Sequence, residues 1–204
     1  MTLDASTYLR HLRAYVNDHY VTHDGNVGEV VLQEKYFPPP PAMRAETRKL
    51  RLLLPGPGLV FKLDHDQFQL RKGRRKPPLF HFLDDNAKPW SKRCDFVIFY
   101  VNRRTFCADC IEFKSGSIAG SAVREQLRAG ACWVRSLKRT IEHYTEETRK
   151  IRVRKFLFGD KEDADAYLDS DRQLNADPSI RYYHFDEVEG QPLTALQNAS
   201  VHVI

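Results

Sequence analysis

The stretch Cys94-Asp95-Phe96-Val97-Ile98-Phe99-Tyr100-Val101, Asn102-Arg103-Arg104-Thr105, Phe106-Cys107-Ala108-Asp109-Cys110-Ile111-Glu112-Phe113-Lys114 decides the fold. Its first part is β-branched and aromatic, the composition of a buried strand. The polar tetrapeptide is short enough to fold the chain back on itself, so two adjacent antiparallel strands are predicted over 95–101 and 106–114. Side chains on a strand alternate faces, which puts Glu112 and Lys114 on one side, about 7 Å apart along the chain. The turn sets the start of the first strand beside the end of the second, so Asp95 is expected to join them. Cys110 and Ala108 continue the face of Glu112. The charges thus end a small, apolar row, a costly placement unless something pairs them.

Working outward, Ser115 to Gly120 is a small-residue loop. It is no P-loop, because the lysine precedes the glycines and no Gly-Lys-Ser/Thr closes it. A long helix is predicted from about 121 to 144, where Val123, Leu127, Gly130, Val134, Leu137, Ile141 and Tyr144 recur every three or four residues as one buried stripe. Upstream, 3–21 reads as an amphipathic helix. Residues 26–37 read as a second helix carrying Glu29 and stopped by Pro38 to Pro41. A hairpin is expected over 50–54 and 59–63 around Pro55-Gly56-Pro57-Gly58, and a first core strand over 79–83. Strands are expected at 151–158 and 180–185, with a short helix at 163–168. The whole is an α/β domain with a mixed, mostly antiparallel central sheet flanked by the 26–37 and 121–144 helices. Residues 1–24 would be a helical arm, 25–160 the core with an inserted hairpin at about 44–72, and 161–204 a C-terminal extension.

The 204 residues suit one domain or two small ones, and 42% hydrophobic with 29% charged residues excludes wholesale disorder. No apolar run approaches the ~20 residues that span a bilayer, so no membrane is expected. Residues 1–13 carry no apolar leader core, and a cytoplasmic address is expected. The four cysteines are too few for a disulfide scaffold. Cys107 and Cys110 have the C-x₂-C spacing of a zinc knuckle, but a strand would point residues three apart to opposite faces, so packed thiols are expected. The net charge of +5 suits a polyanion such as DNA. Its candidate contacts are Arg71, Lys72, Arg74, Arg75 and Lys76, and a second group around Arg152 and Arg154; both would bind backbone phosphates without reading bases.

Two carboxylates and an ammonium at one site suit Mg²⁺, or Mn²⁺ as its substitute, and phosphodiester cleavage. In Cys94-Asp95, sixteen further residues, then Glu112-Phe113-Lys114, the chain resembles the PD-(D/E)xK nuclease superfamily, which includes restriction endonucleases, Holliday-junction resolvases and RecB-like nucleases. The resemblance covers roughly 26–158 and implies a restriction-endonuclease-like αβββαβ core. It implies that Asp95, Glu112 and the Phe113 carbonyl hold Mg²⁺, that Glu29 on the leading helix completes the metal site, and that Lys114 positions the attacking water. Gln126 resembles the polar residue that RecB-like members place on the following helix. Cys94 stands where the family usually has proline, and Gly130 where a tyrosine would follow Gln126. The implied activity is that of a DNA endonuclease leaving 5′-phosphate ends, in phage (antiviral) defence or DNA repair, acting as a homodimer or as a subunit of a larger complex. The alternative is an inactive nucleic-acid-binding or assembly subunit with the same fold.

Overall fold

The computed structural model describes residues 4–25, 28–36, 44–64, 92–115, 120–160, 177–198 and 201–204. The expected strand at 79–83, the basic run at 71–76, the four prolines and the helix at 163–168 lie outside the described residues.

Asp4 caps the first helix, α1 (Ala5–Tyr15), by accepting from the N–H groups of Ser6 and Thr7. Strands β1 (Val21–Gly25), β2 (Gly28–Tyr36), β3 (Glu46–Leu54) and β4 (Gly58–Lys62) follow. Next come β5 (Phe96–Asn102), β6 (Thr105–Lys114), the long helix α2 (Gly120–Thr145) and β7 (Ile151–Gly159). The chain ends with β8 (Ile180–His184), the short helix α3 (Phe185–Val188), and the two-residue strands β9 (Gln191–Pro192) and β10 (His202–Val203).

Among the described residues these strands form two sheets. The larger runs β1-β4-β5-β6-β7-β10, with β8 also paired to β7; the smaller is β2-β3-β9. The larger is mixed: β1, β4, β5 and β6 are successively antiparallel, whereas β6, β7 and β8 are parallel. Parallel neighbours need a crossover, and α2 supplies it between β6 and β7. Residues at 94, 97, 99, 106, 108 and 110 face α1 and α2, with Tyr8, Leu12, Val123, Leu127 and Val134 wholly buried there. The opposite face, with Phe96, Ile98, Ile111, Phe113 and Phe156, packs on Val30, Leu32, Leu50 and Leu52 of the smaller sheet.

Three expectations are corrected. Residues 28–36 are a strand and not a helix, because Val30 and Leu32 bury at a spacing of two while Glu29 and Val31 are exposed. The 50–63 segment is not a hairpin. Its turn carries the chain from one sheet to the other, with β3 paired to β2 and β4 paired to β1 and β5. The glycines allow that passage, since a Cβ on Gly56 would lie 2.5 Å from the Val101 carbonyl oxygen. Finally, the first helix spans Ala5–Tyr15 and not 3–21, and it packs on the domain with its buried residues in the main core.

The fit of α2 on the hairpin hangs on Gly130. A Cβ there would stand 2.4 Å from the Cys94 Sγ, with Cys110 Sγ at 3.5 Å. The position that holds glycine where the family has a tyrosine is therefore a close approach of the helix to the sheet, one residue from Asp95. Gly130→Ala should cost about 1–3 kcal/mol of stability through overpacking, read from urea unfolding; an unchanged midpoint would contradict this packing.

Candidate active site

The register of β5 on β6 pairs Phe96 with Ile111, and one step further sets Asp95 across from Glu112. One hydrogen bond locks that step: the Phe113 N–H donates to Asp95 Oδ2 at 2.6 Å. Lys114 Nζ donates to Glu112 Oε1. Asp95 is 7% and Glu112 0% exposed, while a quarter of the Lys114 side chain reaches solvent. Glu112 Oε2 is buried and has no hydrogen-bond partner.

Burial pushes the Asp95 carboxyl well above the usual carboxylate range, helped by Glu112 and then Glu34, against the Phe113 N–H and Lys114. Burial likewise pushes Glu112 up to about 7, with Lys114 opposing and Asp64 adding to the rise. The two crowded acids therefore resist ionising together.

The structure brings together Asp95, Glu112 and Lys114, and places the other expected site residues elsewhere or in lesser roles. The Phe113 side chain packs against Phe96, Phe158 and Phe185 in the second core, so only its main chain is available to the site. Gln126 is half-buried on α2, beside the buried stripe, and among the described residues it makes no hydrogen bond to the three. Glu29 does not belong here: it is exposed on the outer face of β2. Its strand instead offers Glu34, which continues the inward row of Val30 and Leu32 and acts on Asp95. Lys62 holds Glu34 Oε2 at 2.7 Å, donates to the Gln33 carbonyl at 2.7 Å and lies over the Phe96 ring. Asp64, just past β4, follows Leu63, whose N–H donates to the Asp95 carbonyl at 2.9 Å. The helical reading of 26–37 hid Glu34; a period-two reading, with an acid ending an apolar row, reveals it.

Arg152 is exposed on β7, but Arg154 is not a phosphate contact. Its guanidinium grips both oxygens of the wholly buried Asp109 at 2.8 and 2.7 Å, donates to the Tyr100 hydroxyl and takes the Leu193 and Leu196 carbonyls. It pins the C-terminal segment to the sheet. Cys107 and Cys110 enter opposite cores.

Among the described residues, no three His, Cys, Asp or Glu side chains gather closely enough to hold a metal ion by themselves. Asp95 and Glu112 nevertheless fit a hard cation that keeps most of its waters: they offer adjacent carboxylates, and the Glu112 Oε2 has an unused lone pair in a buried setting. Comparison with protein families, with curated proteins and with solved structures finds no match to this chain.

A raised folded-state carboxyl pKa means that the folded protein binds more protons than the unfolded chain between the two values. In metal-free buffer, stability should therefore fall as pH rises from about 4.5 to about 7 through Glu112. Glu112→Gln should flatten that fall in urea titrations across the window, and parallel curves for the two proteins would contradict the placement.

Proposed function

We propose that the chain is a divalent-metal-dependent nuclease that hydrolyses DNA phosphodiester bonds on a restriction-endonuclease-like core. The observation that carries this reading is the convergence of Asp95, Glu112 and Lys114 at the paired ends of β5 and β6. The succession α1, β4, β5, β6, α2, β7 supports it, being helix, three strands, helix, strand, with β1, β2 and β3 set between α1 and β4. In this reading α1 is the leading helix and 28–36 belongs to an added sheet.

Asp95 and Glu112 would hold Mg²⁺ or Mn²⁺, which when bound supplies Lewis-acid stabilisation and acidifies a water. Lys114 already donates to Glu112 Oε1 and is partly open to solvent. It is the group placed to orient a water and to steady charge developing on the phosphate. The clamp between the Asp95 carboxylate and the Phe113 N–H fixes one acid against the next strand, so the pair needs little rearrangement to act. Phage defence or DNA repair in the cytoplasm is the setting this activity suits.

A second reading is an inactive nucleic-acid-binding or assembly subunit. The complete burial of Glu112 under Lys114 favours it, since an unpaired metal site would more often leave both acids in reach of water. Incubating supercoiled plasmid and single-stranded DNA with Mg²⁺ or Mn²⁺ separates the two. The nuclease reading expects cleavage that Asp95→Asn and Lys114→Gln each lower by roughly 10²-fold or more. No cleavage, or equal cleavage by all three proteins, would reject it.

A further inference from the structure

Outside this site, one side of α2 carries an unusual row of arginines. Arg124, Arg128, Arg135 and Arg139, with Cys132 among them, all lie within about 40° of Arg128 at 3.6 residues per turn and extend over about 22 Å. This side is turned away from the buried stripe of Val123, Leu127, Gly130, Val134 and Ile141. Other basic side chains on or beside the helix have acidic partners: Lys92 with Glu125, Lys138 with Glu142 at 2.6 Å, and Lys155 with Asp177 at 2.6 Å. Among the described residues, Arg128, Arg135 and Arg139 have no carboxylate partner, and the only hydrogen bond of Arg135 runs to Cys132 Sγ at 3.9 Å. Arg124 Nε is buried without any partner. The acids nearest the row are already engaged, Glu142 by Lys138 and by the Arg149 N–H.

The row also borders a cavity of about 610 Å³ between α2 and the edge of the large sheet. Arg128, Arg135, Lys155, Asp177 and His202 line it. Lys155 neutralises Asp177, leaving the two arginines as uncompensated charge. Ala131, Val153 and Ile204 give it a partly apolar floor. Planar guanidinium forks suit phosphate oxygens, and a row of them at helical spacing follows a run of phosphates better than it grips one small anion.

We propose that this face of α2, with the basin beside it, is a binding track for the sugar-phosphate backbone of a nucleic acid. It replaces Arg154 as the basic surface of the described structure. A strand laid along the row meets its four arginines in turn over about 22 Å. The helix begins six residues after Lys114, and Gly130 at its middle packs against Cys94, next to Asp95. The choice of nucleic acid as the polyanion rests on the nuclease reading, but the track itself needs neither metal nor catalysis.

The test measures binding alone, in an Asp95→Asn background with EDTA. Fluorescence anisotropy is recorded with labelled 20-nucleotide single-stranded DNA, its duplex and an RNA of the same sequence, over a range of salt. Arg128→Gln/Arg135→Gln/Arg139→Gln should weaken binding at least tenfold and reduce the slope of log affinity against log salt by two to three, as about 0.7–0.9 per lost contact predicts. Arg103→Gln/Arg104→Gln, on the β5–β6 turn, should change neither. Unchanged affinity and slope in the triple variant would overturn the proposal, as would equal losses in both variants, or binding only to phosphatidylserine vesicles. If the track binds but cleavage by the parent chain is untouched by Asp95→Asn, the nuclease reading fails and the track stands.

Discussion

A carboxylate with no exposed surface, Glu112, facing a second nearly buried one, Asp95, is the constraint around which the centre of this protein is arranged. Leaving two acids out of water is expensive unless protons, cations or donors compensate. The structure supplies three partial compensations: the Lys114 ammonium on Glu112, the Phe113 N–H on Asp95, and a shift of both acids toward protonation. The ammonium bonds Oε1, and Glu112 Oε2 has no hydrogen-bond partner. A buried oxygen left that way is costly in a core.

The sheets hold this arrangement in place. The order β4-β5-β6-β7 makes β5 and β6 the most enclosed strands, covered by α1 and α2 on one face and by the smaller sheet on the other. Gly130 lets α2 lie close against Cys94, which fixes the chain immediately before Asp95. The smaller sheet adds Glu34, held by Lys62, so the acid beside Asp95 comes from a strand. Midway along β6, the Arg154 and Asp109 pair ties the C-terminal segment across the sheet. A single buried guanidinium thus does there the bonding that a longer core would otherwise do.

Much of this was legible in the chain. The alternation around Glu112 and Lys114, the short turn at 102–105 and the stripe on α2 each follow from one period held over enough residues to be unambiguous, and they set the central hairpin and its crossover helix. What failed to show were choices made by tertiary contact. Val27, Val30, Val31 and Glu34 fit a helical spacing as well as a strand, and only pairing with β3 decides between them; with that choice Glu29 leaves the site and Glu34 enters. The basic group at 149–155 gave no sign that Asp109, forty-five residues away, claims Arg154. The arginines of α2 were in plain view, but helix-surface arginines draw notice only when their neighbours' acids are known to be occupied.

The central claim, that Asp95 and Glu112 together form a cation site, is tested most directly by titrating the protein with Mn²⁺ and following the free-ion signal by electron paramagnetic resonance. The account predicts saturable loss of signal at one ion per chain, displaced by Mg²⁺ and abolished by Glu112→Gln in a protein that remains folded. A signal that falls equally for parent and variant, or does not fall at all, would contradict it.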